Sequence, residues 1–419
     1  MSQAINSKPT APPKCRFCST ELRTNFVDLG MSPLCQTHIE PHELNHMERF
    51  YPLHAWVCEQ CWLVQLEQYV APGDIFSDYA YFSSYSDSWV EHARRYAENM
   101  IDRFKFGKHS LVMEIASNDG YLLQHFLARG VPCRGIEPAA NVAEAAVAKG
   151  IPTTVKFFGQ KTAAEVAAEH GKPSLLLGNN VLAHVPDIND FVGGMKTLLA
   201  KDGVITMEFP HLLRLMDENQ FDTIYHEHFS YLSFGTVRTI FAHHGLRLFD
   251  VDEVSTHGGS LRIFGCHADD SRAETPAVAK LLAGEKAFGL ITAATYGTFE
   301  AKVLETKRKL LAFLIDAKNA GKQIVGYGAP GKGNTLLNYC GIRTDFLDYT
   351  VDRSPHKQGR YTPGTHIPIL APEKIRETKP DYVLILPWNP KQEIATQNAY
   401  VREWGGWLVV PIPHVQLVD

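Results

Sequence analysis

Tyr225, His226, Glu227 and His228 are consecutive, so a phenol, two imidazoles and a carboxylate fall within four residues. Imidazole titrates near neutral pH, a buried carboxyl is shifted toward it, and a phenol can donate to a developing oxyanion. Such a set can break a C–H or O–H bond. A single histidine is more often a satisfied core or loop residue. Several proton-moving groups in one run point instead to a cleft. Two features frame the run: the Cys-x-x-Cys pairs Cys15/Cys18 and Cys58/Cys61, and a strand-turn-helix loop, EIASNDG, at 114–120.

The small residues of that loop let a ligand approach the backbone at the carboxyl ends of strands. Glu137 ends the next predicted strand, where a carboxylate can accept both hydroxyls of a ribose. The spacing fits an adenosine-containing cofactor, although the loop lacks G-x-G-x-x-G. A second glycine-rich turn, GYGAPGKG, occupies 326–333. It fails the phosphate-loop pattern, because Lys332 is followed by Gly333 rather than Ser or Thr. Gly326, Gly328 and Gly331 do keep G-x-G-x-x-G register, and Asp352 ends the following strand. Three readings stay open there: a weak NAD fingerprint, a diphosphate cradle with Lys332, or a tight turn that needs glycine. His257 and Arg262 flank a flexible HGGSLR segment. His184 follows a later strand of the same sheet.

The chain has 419 residues, with 45% hydrophobic and 21% charged, ordinary values for two or three globular domains. A net charge of −5 gives no general drive toward nucleic acid or anionic membrane. The opening MSQAINSKPTAPPK lacks the apolar core of a signal peptide, and no apolar run reaches membrane-spanning length. The expectation is a cytoplasmic protein. In a reducing compartment the two complete knuckles read as a closed, structural zinc site on Cys15, Cys18, Cys58 and Cys61. Cys35 and His38 lie between them as weaker alternative ligands.

Residues 1–14 read as a flexible tail and 15–70 as the zinc lobe. Residues 71–90 are aromatic-rich (Phe76, Tyr79, Tyr81, Phe82, Tyr85, Trp89), a packed linker or a lid. Helix–strand alternation then runs to 268, which implies a mainly parallel sheet. Residues 269–320 form a helical connector, and 321–419 a second, smaller α/β domain.

Taken together, the chain resembles the sugar C-methyltransferase family, S-adenosylmethionine-dependent enzymes that methylate nucleotide-linked ketosugars at carbon 3. The resemblance is carried in order by the two cysteine pairs, residues 79–89, EIASNDG at 114–120, NNVLAHVPD at 179–187, YHEHFSYLS at 225–233, HGGSLR at 257–262 and GYGAPGKGNTLLNY at 326–339. It covers nearly the whole chain. It implies an α/β architecture: a class I methyltransferase Rossmann-like domain over 71–268, an N-terminal zinc-binding lobe and a C-terminal Rossmann-like domain. It further implies S-adenosylmethionine on Glu114, Ala116, Asn118, Gly120, Glu137, Asn179 and Asn180. The nucleotide-linked sugar would lie against His257, Arg262, Tyr327 and Lys332.

A carbon beside a ketone must lose a proton before it can attack a methyl sulfonium, so the site needs a base and an oxyanion donor. With the resemblance, His228 is assigned as base and Tyr225 and Tyr79 as donors. Glu227 holds the imidazole or a sugar hydroxyl, and His184 supports them. Two rivals remain: an NAD-dependent nucleotide-sugar dehydrogenase or epimerase using the 326–333 turn, although no Tyr-x-x-x-Lys pair is present, and a non-catalytic nucleotide-sugar or zinc scaffold. The nucleotide, the sugar, the stereochemistry and the oligomeric state are not legible.

Overall fold

The structure is a computed structural model that describes residues 12–73 and 82–418. Tyr79, Phe76 and Tyr81 lie outside the described residues. Among the described residues, three sheets organise the chain. The first is antiparallel, in the order β1 (Thr24–Ser32), β2 (Tyr51–Val57), β3 (Val64–Leu66) and β9 (Ser230–Tyr231). Its last strand comes from the chain immediately after His228. The zinc lobe therefore holds the chain that follows the 225–228 run through backbone pairing, with Leu66 N donating to Phe229 O at 3.1 Å.

The second sheet contains β4 (Val112–Ile115), β5 (Cys133–Ile136), β6 (Thr153–Thr154), β7 (Leu175–Asn179), β8 (Val204–Pro210), β10 (Leu246–Val254) and β11 (Ser260–His267), in the order β10-β11-β8-β7-β4-β5-β6. All its pairings are parallel except those made by β11, which is reversed against both β8 and β10. This is the class I methyltransferase strand order. Every side chain of β4 is buried, as expected of a strand covered on both faces. The chain crosses over between β4 and β7. In such sheets ligands bind in the crevice beyond the carboxyl ends of the strands that flank the crossover.

The third sheet has the order β14-β13-β12-β15-β16-β17, from β12 (Ile324–Tyr327), β13 (Thr350–Val351), β14 (Ile369–Leu370), β15 (Tyr382–Ile385), β16 (Trp407–Val410) and an antiparallel edge, β17 (Gln416–Val418). Helices Pro276–Phe288, Ala293–Gly297 and Phe299–Asn319 connect the second and third sheets. The connector is more than a spacer. Glu285 accepts from Phe234 N at 2.6 Å and Gly235 N at 2.9 Å, capping helix Phe234–His243, and also meets His211 Nε2 at 2.7 Å. Phe299 stacks on Phe26 of the zinc lobe, centroids 4.5 Å apart. The lobe thus shares one apolar core with the third sheet, while its knuckle residues pack into the core of the second.

Candidate active site

The four knuckle cysteines converge although the pairs lie 40 residues apart in sequence, with sulfurs 3.6 Å apart for Cys15/Cys61, 3.4 Å for Cys18/Cys58 and 3.7 Å for Cys18/Cys61. Tetrahedral zinc with bonds of about 2.3 Å places sulfurs about 3.8 Å apart, so the donor set fits zinc and leaves no open position. Gln65 Nε2 donates to Cys15 Sγ at 3.2 Å, the outer-shell contact that orients a thiolate. Cys35 and His38 are not in the cluster. Cys35 Sγ instead lies 3.8 Å from Glu227 Oε1, and His38 Nε2 lies 3.4 Å from Ala329 O.

The 114–120 loop follows β4 and turns sharply. Ala116, Asn118 and Gly120 all have positive φ, and a Cβ on Gly120 would stand 2.4 Å from Ile151 Cδ1. Glycine is therefore required at 120 by space as well as by backbone conformation. Glu137, at the end of β5, accepts from Asn118 N at 2.8 Å and Ala139 N at 2.9 Å. Burial raises its pKa, opposed by those two amides. Glu114 is fully buried, and neither of its carboxylate oxygens has a hydrogen-bond partner among the described residues. Burial, with Glu137 and Asp119 nearby, pushes its pKa well up. An orphaned buried carboxyl is costly unless a ligand donor meets it. The loop and its two acids thus fit a cofactor that carries an ammonium group and a ribose. Asn179 and Asn180 close the β7 side. Asn180, also at positive φ, places Nδ2 3.0 Å from His257 Nε2, itself at φ 53°.

In the 225–228 run the two imidazoles part company. His226 faces the zinc lobe, with Nε2 3.1 Å from Pro52 O and its ring edge-on to Tyr51. His228 faces the other way. Its Nδ1 lies 2.8 Å from Thr223 O, which makes Nδ1 the protonated nitrogen and leaves Nε2 basic. Its ring centroid is 4.0 Å from that of Tyr225 and 4.7 Å from that of His184. Burial lowers the His228 pKa well below its ordinary value, helped by His184, His257 and Lys332. His184 is lowered to about 4, mainly by burial. Glu227 is raised to about 7, again by burial. The site therefore holds imidazoles that burial keeps neutral, beside a Glu227 carboxyl shifted toward neutrality.

Lys332 brings the third sheet into this cleft. Its Nζ donates to Asn389 Oδ1 at 2.5 Å and lies 4.8 Å over the Trp388 ring, while Trp388 Nε1 donates to Asp222 Oδ2 at 2.6 Å. Burial raises Asp222 to about 6, opposed by Lys332. Asp222, Trp388 and Asn389 carry no local pattern in the sequence. Tyr327 packs in the core shared with the zinc lobe. Arg262 is not presented toward His228. It is buried, with Nη2 2.6 Å from Glu208 Oε2 and its guanidinium 4.7 Å over the Tyr96 ring. Glu208 lies two residues before the end of β8, near the strand-end position that marks Glu137, and that signal could have found it. The glycines at 326–333 are explained by chain packing. A Cβ at Gly331 would stand 2.9 Å from Cys35 Sγ, at Gly328 2.6 Å from Pro387 Cδ, and at Gly333 2.9 Å from Leu386 Cβ. These close approaches account for glycine at the turn without a bound nucleotide.

Known proteins share these parts. Family models match in sequence: a zinc binding domain over residues 15–76, a methyltransferase domain over 89–251 and a C-methyltransferase C-terminal domain over 255–413. The C-methyltransferase NovU of Streptomyces niveus is 35% identical over 406 residues, 97% of each chain. Among solved structures, magnesium protoporphyrin IX methyltransferase of Synechocystis PCC 6803 is 13% identical, with a TM-score of 0.34 over 42% of this chain and 83% of its own. The 1,6-didemethyltoxoflavin-N1-methyltransferase of Burkholderia thailandensis is 15% identical, with a TM-score of 0.36 over 49% of this chain and 95% of its own. No described helix is long and apolar enough to cross a membrane. The zinc cluster, the strand order and near-full-length similarity to a C-methyltransferase lead to one assignment: the chain belongs to the C-methyltransferase family and is an S-adenosylmethionine-dependent C-methyltransferase with a zinc-binding lobe.

Proposed function

We propose that the protein methylates carbon 3 of a nucleotide-linked 4-keto-deoxysugar, with His228 as general base. The observation that carries this reading is the Thr223 O contact at 2.8 Å, which holds the proton on Nδ1 and turns Nε2 into the base. His228 Nε2 takes the proton from C3, and the C–H electron pair moves into the enolate. Tyr225 donates to the developing oxyanion, a role Tyr79 shares in this reading. When bound, S-adenosylmethionine would supply an electrophilic methyl group to C3, its sulfur keeping the bonding pair as it becomes S-adenosylhomocysteine. Glu114, Ala116, Asn118, Gly120, Glu137, Asn179 and Asn180 hold the cofactor. Glu227 accepts from a sugar hydroxyl, and His184 keeps the imidazole in place. His257, Tyr327 and Lys332 border the nucleotide-sugar cleft, where the Lys332 ammonium suits a diphosphate. Arg262 acts through Glu208.

The test is incubation of the protein and S-adenosylmethionine with a panel of nucleotide-linked 4-ketosugars in deuterated water, read by mass spectrometry and by exchange at C3. One added methyl is expected on one substrate class. His228→Asn should lower turnover by about 10²–10⁴-fold and abolish the exchange while both ligands still bind. Wild-type exchange in that variant would move the base elsewhere, with Glu227 and His184 next in line.

A further inference from the structure

We propose that His92 and Glu208 form a clasp that seats Trp89 over the cofactor crevice, and that the clasp governs how long the cofactor is retained. Glu208 is buried at the carboxyl end of β8 and accepts from three elements at once. Its partners are His92 Nε2 at 3.0 Å, Thr256 Oγ1 at 2.8 Å and Arg262 Nη2 at 2.6 Å. His92 lies on helix Asp87–Phe104, one turn after Trp89. The Trp89 indole stacks against His92 and against Tyr121, with centroids 5.0 and 6.0 Å away, and meets His257 edge-on at 5.2 Å. Tyr121 directly follows the 114–120 loop, and His257 contacts Asn180 of the β7 loop. Trp89 therefore spans the loops at the carboxyl ends of β4 and β7, where the crevice must lie.

The segment that leads into the helix is tied down at its other end. Ser83 N donates to Asn118 Oδ1 at 2.9 Å and Ser84 N to Asp119 Oδ2 at 3.3 Å. Residues 82–92 thus run as a strap, pinned to the cofactor loop at the start and to Glu208 at the end. Both ends rest on buried carboxylates, Asp119 and Glu208, which make charge-assisted hydrogen bonds. Glu208 keeps its charge: burial pushes its pKa up, but His92, Arg262 and Thr256 outweigh that and hold it at about 2. His92 is a positioning residue, and its effect falls on cofactor exchange more than on the chemical step.

The inference rests on the cofactor lying at the 114–120 and β7 loops, so two variants are read side by side. His92→Phe keeps a ring for Trp89 but removes the donor to Glu208. Its S-adenosylmethionine off-rate and Kd should rise about tenfold, the loss expected for one hydrogen bond to a charged group. The KM for S-adenosylmethionine should rise by more than kcat falls. His92→Gln, which keeps an N–H donor, should restore most of the retention. An unchanged off-rate in folded, zinc-loaded His92→Phe overturns the clasp, as does a His92→Gln off-rate equal to that of His92→Phe. Glu137→Ala serves as the control: normal cofactor affinity in that variant would instead displace the cofactor site itself.

Discussion

The guanidinium of Arg16, inside the first zinc knuckle, lies 5.4 Å over the ring of Phe229, the residue after His228. The same side chain donates to Pro186 O at 2.7 Å and to Leu66 O. Asn189 returns the contact by donating to Phe17 O at 2.9 Å, and Thr236 Oγ1 donates to Cys61 O at 3.1 Å. The metal lobe therefore grips both sides of the proposed base.

Zinc removal should act on the site through this grip. Chelation, or Cys15→Ser, is expected to lower the melting temperature by about 10 °C or more, because metal binding and folding of the lobe are coupled. Hydrogen exchange over residues 225–231 should speed up and turnover should fall with it. Metal-free protein with native protection over those residues would disprove the coupling.

Glu227 should set the pH dependence near neutrality. Burial raises its pKa from 4.5 to about 7, whereas His228 is pushed well below its ordinary value and stays neutral there. If Glu227 works as a carboxylate, kcat/KM rises with pH through about 7, and Glu227→Gln removes that limb. A limb that survives in Glu227→Gln belongs to another group. Stability runs the opposite way. A carboxyl with a raised folded pKa stabilises the fold fully below about pH 4.5, and that contribution is lost as pH rises through about 7. Glu227→Gln should therefore gain up to about 3 kcal/mol over wild type at pH 8 and little at pH 4. Chemical denaturation at the two pH values checks the sign.

Arg262→Met should behave as a stability mutant. It leaves the Glu208 carboxylate buried without its nearest partner, a loss of about 3–5 kcal/mol. The double variant Glu208→Leu/Arg262→Met should be less destabilised than the sum of the two single changes. If Arg262→Met kept full stability and raised only the KM for the sugar nucleotide, Arg262 would contact substrate after all.

Glu137→Ala should weaken S-adenosylmethionine binding by about tenfold or more in calorimetry. It removes the proposed acceptor for the ribose and releases the two amides, Asn118 N and Ala139 N, that shape the loop. Equal affinity in a folded variant would take Glu137 out of the site.

Local chemistry made much of this protein legible from its residues alone. Apolar-rich runs marked β4, β7 and β8, because strands buried on both faces need near-continuous hydrophobic residues. The cysteine spacing declared the metal, since thiolates in paired knuckles have few other uses in a reducing compartment. Other parts had no local signal. The strand β9 is two residues long, too short to show a period, and exists only because β3, some 165 residues earlier, supplies its hydrogen bonds. The helix Gly331–Cys340 begins at glycines that disfavour helix, and the close approach of Cys35 and Leu386 accounts for them. Arg262 reads as a substrate contact from the sequence because nothing near it in sequence reveals Glu208 across the sheet. Residue types and spacing determined which chemistry was available. Only tertiary packing decided which imidazole faces the cleft, which acid titrates near pH 7 and which cation is already neutralised, because burial and partner distance set those properties and neither is a local quantity.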